Sequence, residues 1–252
     1  MDVSHDGRGA IVTGGSRGIG FAIAQELIAS GAQVLITGRK RASLESAAAK
    51  LGAPCRWRVC HAADQQEAQR CVDFAFSSFG GVDYLVNNAG TNPQWGPTLE
   101  VDARLAGKLV EVNQWAPLMW IQAVWGKGRL VRAGAIVNIT SIGGVDPAAH
   151  TGYYNVTKAA LGFLTRQLAA ELAPLLRVNA VAPGMIDTEL AAAVPEGDRA
   201  RLLEKIPLNR FGEPADIAAA TSFLLSDRAA WITGQLLSVD GGALAAKGRS
   251  NE

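Results

Sequence analysis

Residues 153–158 read YYNVTK, two tyrosines ahead of a lysine. On a helix, Tyr154 and Lys158 are i and i+4 and share a face, whereas Tyr153 and Lys158 are i and i+5 and diverge. A free phenol has a pKa near ~10. Proton transfer near neutrality requires that value to fall, and a neighbouring ammonium lowers it by favouring the phenolate. Tyr154 and Lys158 therefore have the composition of a general acid/base and its tuner. A surface tyrosine packed on a lysine stem has the same spacing, so the pair alone leaves both readings open.

A second group with chemical content is TGGSRGIG (13–20). Gly14, Gly18 and Gly20 are spaced G-x-x-x-G-x-G between a strand pattern and a helix pattern. Glycines there let backbone approach a pyrophosphate, and the helix N-terminus offers unpaired N–H groups and partial positive charge. An NAD site commonly places an acid about 20 residues further on, against the ribose 2′-hydroxyl. Here the second strand ends in Thr37-Gly38-Arg39-Lys40-Arg41, and the first acid after it is Glu45. Arg39, with Arg17 inside the glycine turn, suits a 2′-phosphate, so NADP(H) is favoured over NAD(H).

The elements that must hold these groups alternate. Strand patterns at AIVT (10–13), QVLIT (33–37), RWRVCHA (56–62), DYLVNNAG (83–90), GAIVNITS (134–141), RVNAVAPG (177–184) and QLLSVDGG (235–242) are separated by helical patterns. The helical stretches are 19–30, 41–51, 65–79, 98–126, 151–173, 198–205 and 214–226. Such alternation predicts an α/β fold, a doubly wound Rossmann domain with a parallel, seven-stranded sheet flanked by helices. With no repeat or linker, residues 1–252 are expected to form one domain with tails at 1–6 and 243–252. The irregular stretch 185–212 is expected to act as a substrate lid.

Composition excludes other classes. Hydrophobic residues make up 48% and charged residues 19% of the 252, which argues against disorder. With 24 Lys+Arg against 23 Asp+Glu, no nucleic-acid or membrane-surface partner is expected. The polar N-terminus and the lack of a ~20-residue apolar run predict a soluble, cytoplasmic protein. Cys55, Cys60 and Cys71 form no C-x-x-C pair, and Cys60 beside His61 fits no ligand spacing, so neither a disulfide framework nor a metal is expected.

TGGSRGIG, NNAG (87–90), Asn113 in a long helix, Ser141 at a strand end, YNVTK (154–158), PG (183–184) and VDGG (239–242) follow one another in a single order. Together they resemble the short-chain dehydrogenase/reductase family in its simple single-domain form, over residues 7–242. The resemblance implies that Tyr154 is the general acid in reduction and that Ser141 holds the carbonyl oxygen. It implies that Lys158 binds the nicotinamide ribose and lowers the Tyr154 pKa, and that Asn113 holds a water in a relay to Lys158. Pro117, four residues after Asn113, would clash with the Asn113 carbonyl in a regular helix, which predicts a break there. The resemblance further implies that Asp64 contacts adenine and that Thr188 contacts the carboxamide. Ser16, Ile19, Asn88, Ala89, Gly90, Pro183, Gly184 and Ile186 would line the cofactor.

The stretch 206–242 is similar to 3-oxoacyl-carrier-protein reductases. This implies NADPH-driven reduction of a 3-oxoacyl thioester or ketone to a secondary alcohol. Acyl carrier protein or acyl-CoA would be partners, with Arg129, Arg132 and Arg177 as docking candidates. An alternative is a dehydrogenase or ketone reductase acting on a steroid, sugar or secondary metabolite; a third is a non-catalytic dinucleotide-binding protein, against which the intact Asn113, Ser141, Tyr154 and Lys158 argue. Gln94, Trp95, Gly143 and His150 are the substrate candidates. Trp115, Trp120 and Trp125 are expected in the core or at a subunit interface, and the family resemblance implies a homodimer or homotetramer.

Overall fold

A computed structural model describes residues 3–93, 96–126, 134–148, 151–188 and 196–246. The strands are β1 (Gly9–Thr13), β2 (Gln33–Gly38), β3 (Cys55–Val59), β4 (Tyr84–Asn87), β5 (Gly134–Ile139), β6 (Leu176–Pro183) and β7 (Leu236–Val239). Among the described residues they form one parallel sheet in the order β3-β2-β1-β4-β5-β6-β7. The helices are α1 (Gly18–Ala29), α2 (Arg41–Leu51), α3 (Gln65–Phe79), α4 (Ala103–Val110), α5 (Ala116–Trp125), α6 (Gly152–Leu172), α7 (Glu196–Leu203) and α8 (Pro214–Leu225).

Strand periodicity divides the core in two. Ala10, Val12, Val34, Ile36, Val86 and Val137 pack with α1, α2 and α8. Their neighbours Ile11, Leu35, Leu85 and Ile136 point the other way, onto α3, α5 and α6. Side chains two apart share a face and both faces are covered, so the inner strands are apolar throughout. Trp120 lies in the second layer, 1% exposed, with its indole N–H donated to the Ala62 carbonyl. Trp115 and Trp125 are 50% and 43% exposed. The expected core role therefore holds for Trp120 alone of the three.

The chain winds outward in both directions from the boundary between β1 and β4. At such a reversal the loops beyond the strand C-termini part and leave a crevice, where ligands of open α/β sheets bind. The loops after β1, β2, β4, β5 and β6 all reach this edge.

The long helical pattern of 98–126 is interrupted. A short 3₁₀ turn at Thr98–Glu100 precedes α4, and a π-turn over Glu111–Trp115 separates α4 from α5. Pro117 has no N–H and its ring would press on the Asn113 carbonyl under i→i−4 pairing. Widening the turn to i→i−5, as in the Ala116 N–H to Glu111 carbonyl bond, avoids that clash. The helix is thus widened at Asn113 rather than ended.

Candidate active site

The glycine turn is built for backbone approach. Gly14 and Gly18 have φ of +67° and +54°, conformations that favour glycine. A Cβ on Gly20 would come within 2.5 Å of the Gly14 carbonyl oxygen. Helix α1 starts at Gly18 behind extended Arg17 and has no side-chain cap, which leaves its first N–H groups facing the crevice. Gly15 was not singled out from spacing, yet a Cβ there would meet Ile36 at 2.7 Å; it lets the turn lie flat on β2. Ser16 lies in the turn and Ile19 in the first turn of α1. Thr188, far away in sequence, brings its methyl group to the front of Gly18.

A second loop buttresses the turn. Thr13 Oγ1 accepts the N–H groups of Asn88 and Ala89, both at 3.0 Å. Asn88 Nδ2 donates to the carbonyls of Thr13 and Gly14 at 2.9 and 3.2 Å. Thr13 is a residue the sequence pattern gave no reason to choose. Two further residues missed at that level are Asn87 and Asn138, which face each other across β4 and β5. Asn87 Nδ2 donates to Asn138 Oδ1 at 2.9 Å and to the Pro117 carbonyl at 3.3 Å, and Asn138 Nδ2 donates to Thr165 Oγ1 at 2.9 Å. The available signal was an asparagine inside each of two apolar strands, where that residue is disfavoured.

Asn113 is fully buried. Its Oδ1 accepts the Thr91 N–H at 2.8 Å, and its Nδ2 donates to the Thr91 carbonyl at 2.9 Å and to Thr157 Oγ1 at 3.2 Å. The side chain therefore ties the loop after β4 to α6. Gly90 lies beside it: a Cβ at Gly90 would be 3.4 Å from Lys158 Nζ and 3.5 Å from Asn113 Oδ1.

Tyr154 and Lys158 do share a face of α6. The ammonium lies 5.7 Å from the phenol ring centroid and donates to the Ile139 carbonyl at 2.8 Å. Ser141, just past β5, exerts a lowering influence on the phenol, and its Oγ accepts the Gly143 N–H at 3.1 Å. It serves both as a turn cap and as the tyrosine's partner. The expected lowering of the phenol by the lysine is not what this site does. Burial pushes Tyr154 up to about 12, against the opposing hydrogen bond from Ser141, and burial pushes Lys158 down to about 8. Desolvation is the largest cause of both shifts. The phenol is thus held in its acid form at neutral pH.

The Lys158 shift has a stability consequence. Its folded value of about 8 lies below the ordinary 10.5, so the unfolded chain binds more protons between those values. Stability from this group rises with pH through that window, by about 3 kcal/mol in all, and Tyr154 opposes it only above pH ~10. Denaturant curves from pH 7.5 to 10 should show the native protein gaining on Lys158→Met as pH rises. Parallel curves for the two proteins would refute the assignment.

Other expected residues have specific places. Asp64 is exposed and caps α3 by accepting the Glu67 N–H at 2.8 Å. Arg39 is exposed just past β2 and has no ion-pair partner among the described residues. Arg41 stacks on Trp57 at 5.2 Å and reaches Glu45 at 3.5 Å. A Cβ on Gly184, after Pro183, would meet Asp240 at 2.7 Å, and Ile186 is paired with Gly212. In the 185–212 stretch, Arg199 pairs with Asp187 at 3.1 Å and lies over the Phe211 ring at 4.9 Å. Gln94, Trp95 and His150 lie outside the described residues, as do Arg129, Arg132 and segment 189–195.

Arg177 is a correction. Its guanidinium donates to the carbonyls of Leu224, Leu225 and Ser226 at 2.6, 2.9 and 3.0 Å. It closes the C-terminus of α8, whose last carbonyls lack helical partners. It is the second residue of β6, at the opposite end of the strand from the crevice, and is spent on structure rather than held out for a carrier protein.

A sequence profile described as Enoyl-(Acyl carrier protein) reductase matches residues 14–243. The chain belongs to the short-chain dehydrogenase/reductase family. Short-chain dehydrogenase/reductase SDRA of Arabidopsis thaliana is 38% identical, over 94% of each chain. Tropinone reductase-like 3 of Erythroxylum coca is also 38% identical, over 94% of this chain and 93% of that one. A short-chain dehydrogenase/reductase from Brucella melitensis, described as a glucose/ribitol dehydrogenase, superposes with a TM-score of 0.92 at 32% identity, covering 96% and 99% of the two chains. Membership makes this an oxidoreductase of the family that uses a nicotinamide dinucleotide, and the uncapped α1 N-terminus and glycine turn fit that group. Among the described residues no helix is long and apolar enough to cross a membrane.

Proposed function

We propose that this short-chain dehydrogenase/reductase reduces a ketone carbonyl to a secondary alcohol with NADPH. The observation that carries the reading is geometric: Tyr154 and Lys158 share one face of α6, the ammonium 5.7 Å from the phenol ring centroid, with Ser141 just past the end of β5 and the phenol protonated. A protonated phenol is ready to give a proton to a carbonyl oxygen as negative charge develops there. Ser141 would hold the same oxygen. When bound, the dinucleotide supplies the hydride.

Gly14, Ser16, Gly18, Ile19 and Gly20 would hold the pyrophosphate, and Arg39 with Arg17 the 2′-phosphate. Asp64 would border the adenine, and Asn88, Ala89 and Gly90 the middle of the cofactor. Pro183, Gly184, Ile186 and Thr188 would hold its nicotinamide end. Lys158 Nζ, buried between the Ile139 carbonyl and Gly90, would bind the ribose hydroxyls. Asn113 would fix the loop at Thr91, and with it the wall opposite Tyr154. Gly143 would line the substrate. The described residues 185–188 and 196–212, joined by the Asp187–Arg199 pair, would border it. Exposed Trp115 on the π-turn and Phe163 on α6, 50% and 62% accessible, support association of copies into a homo-oligomer.

The name of the tropinone reductase-like relative supports a ketone, and the commitment of Arg177 to α8 removes one residue from a carrier-docking patch. The acyl-carrier description of the matching profile favours a second reading, a 3-oxoacyl thioester substrate. A panel of cyclic, aromatic and aliphatic ketones beside 3-oxoacyl thioesters, each with NADPH and NADH, separates the two. Turnover of ketones with NADPH is expected; turnover of thioesters alone would transfer the assignment to the second reading.

A further inference from the structure

We infer that Asn155 is a positioning residue that clamps the 141–148 segment onto α6 and so sets Ser141 against Tyr154. The inference rests on the reading of Ser141 and Tyr154 given above. Asn155 follows Tyr154 in sequence but points elsewhere. It is 9% exposed, and its Oδ1 is buried without a hydrogen-bond partner. A buried amide oxygen left unpaired has a cost, so its location calls for a reason.

The location is the space above Gly143. A Cβ on Gly143 would fall on Asn155 Oδ1 and lie 2.8 Å from its Cγ. The φ of Gly143 is outside the left-handed region, so backbone conformation does not require glycine there; the asparagine does. The other end of the amide is anchored. Nδ2 donates to Thr151 Oγ1, which donates in turn to the Ala148 carbonyl at 2.8 Å. Because the threonine hydroxyl proton is committed to Ala148, its oxygen must accept, which fixes the amide with nitrogen toward Thr151 and oxygen toward Gly143.

One side chain thus spans both ends of the segment that follows β5. At the near end, Gly143 gives its N–H to Ser141 Oγ. Gly144 lies flat on α6, where a Cβ would be 2.7 Å from the Ala159 nitrogen and the Lys158 carbonyl carbon. Ser141 is therefore located relative to Tyr154 by contacts between the turn and α6, and Asn155 is the side chain that sets their separation. Enlarging residue 143 would lift the turn, and Ser141 with it, while the glycine turn and Arg39 at the cofactor end stay in place.

The test is a mutant cycle on the intact enzyme, using a carbonyl substrate from the panel, NADPH binding and thermal melts. Gly143→Ala should lower kcat/KM by roughly 30-fold or more, and Asn155→Ala by about 10-fold, with NADPH affinity little changed. In the Asn155→Ala background the added Gly143→Ala should cost less than about 2-fold, because the clash has gone. Thr151→Val should reproduce the Asn155→Ala loss and add little to it. Melting temperatures should show the same non-additivity for the glycine–asparagine pair, which keeps the clamp testable with no substrate in hand. Equal costs of Gly143→Ala in both backgrounds, or an Asn155→Ala enzyme with native kcat/KM, would overturn the inference. A Tyr154→Phe enzyme that still turns over would overturn the catalytic reading instead, whatever the cycle shows.

Discussion

Tyr154→Phe is expected to lose turnover by about 10²–10⁴-fold and to keep its affinity for NADPH. The substitution removes one hydroxyl from a half-buried ring and leaves the ring's packing, the Lys158–Ile139 bond and the glycine turn untouched. The proton given to the carbonyl oxygen is lost, together with the hydroxyl's interaction with Ser141. Tyr153→Phe is the control. Tyr153 borders, with Tyr154, a small cleft lined by Val101, Leu105 and Leu109, but it is turned away from the Lys158 face of α6, so its variant should turn over normally. Steady-state rates with single-turnover hydride transfer decide the matter. A dead Tyr153→Phe beside an active Tyr154→Phe would reverse the assignment. Because burial holds the Tyr154 phenol at about 12, its protonated form should support reduction across the neutral range, with loss from this group confined to strongly alkaline solution.

Arg39→Ala should weaken NADPH about 10–100-fold and leave NADH almost unchanged. A charge-assisted hydrogen bond to phosphate contributes about 1.5–3 kcal/mol, and exposure of the arginine puts the effect toward the lower end. The side chain stands at the end of β2, where an acid would otherwise meet the ribose 2′-hydroxyl. Arg41 cannot readily take its place, since its guanidinium is stacked on Trp57 and paired with Glu45. Cofactor dissociation constants measured by fluorescence for both dinucleotides provide the check. Equal losses for the two would mean that Arg39 does not face a 2′-phosphate.

Much of this architecture was legible in the linear pattern. Helices 41–51 and 65–79 fall where expected, because apolar periodicity and the caps at their ends are local properties. The seven parallel strands follow from the alternation of elements, since right-handed crossovers leave few other arrangements. The expected strand through Cys60–Ala62 stops at Val59, as the chain turns there toward the Asp64 cap of α3. Tyr154 was separable from Tyr153 by helical geometry alone.

What the sequence by itself determined was therefore the set of chemical groups and the elements carrying them: a glycine turn between β1 and α1, a basic end to β2, and a phenol and an amine one turn apart on α6. Only the tertiary structure decided how those groups behave. Burial, which depends on every element packed around the crevice, raised the phenol and lowered the amine where spacing had predicted the reverse for the phenol. Contacts between distant segments assigned Arg177 to the end of α8, Asn113 to Thr91, and Asn155 to the space over Gly143. Spacing along the chain fixes which side chains can share a face; desolvation and steric exclusion are set by neighbours that lie close only after folding.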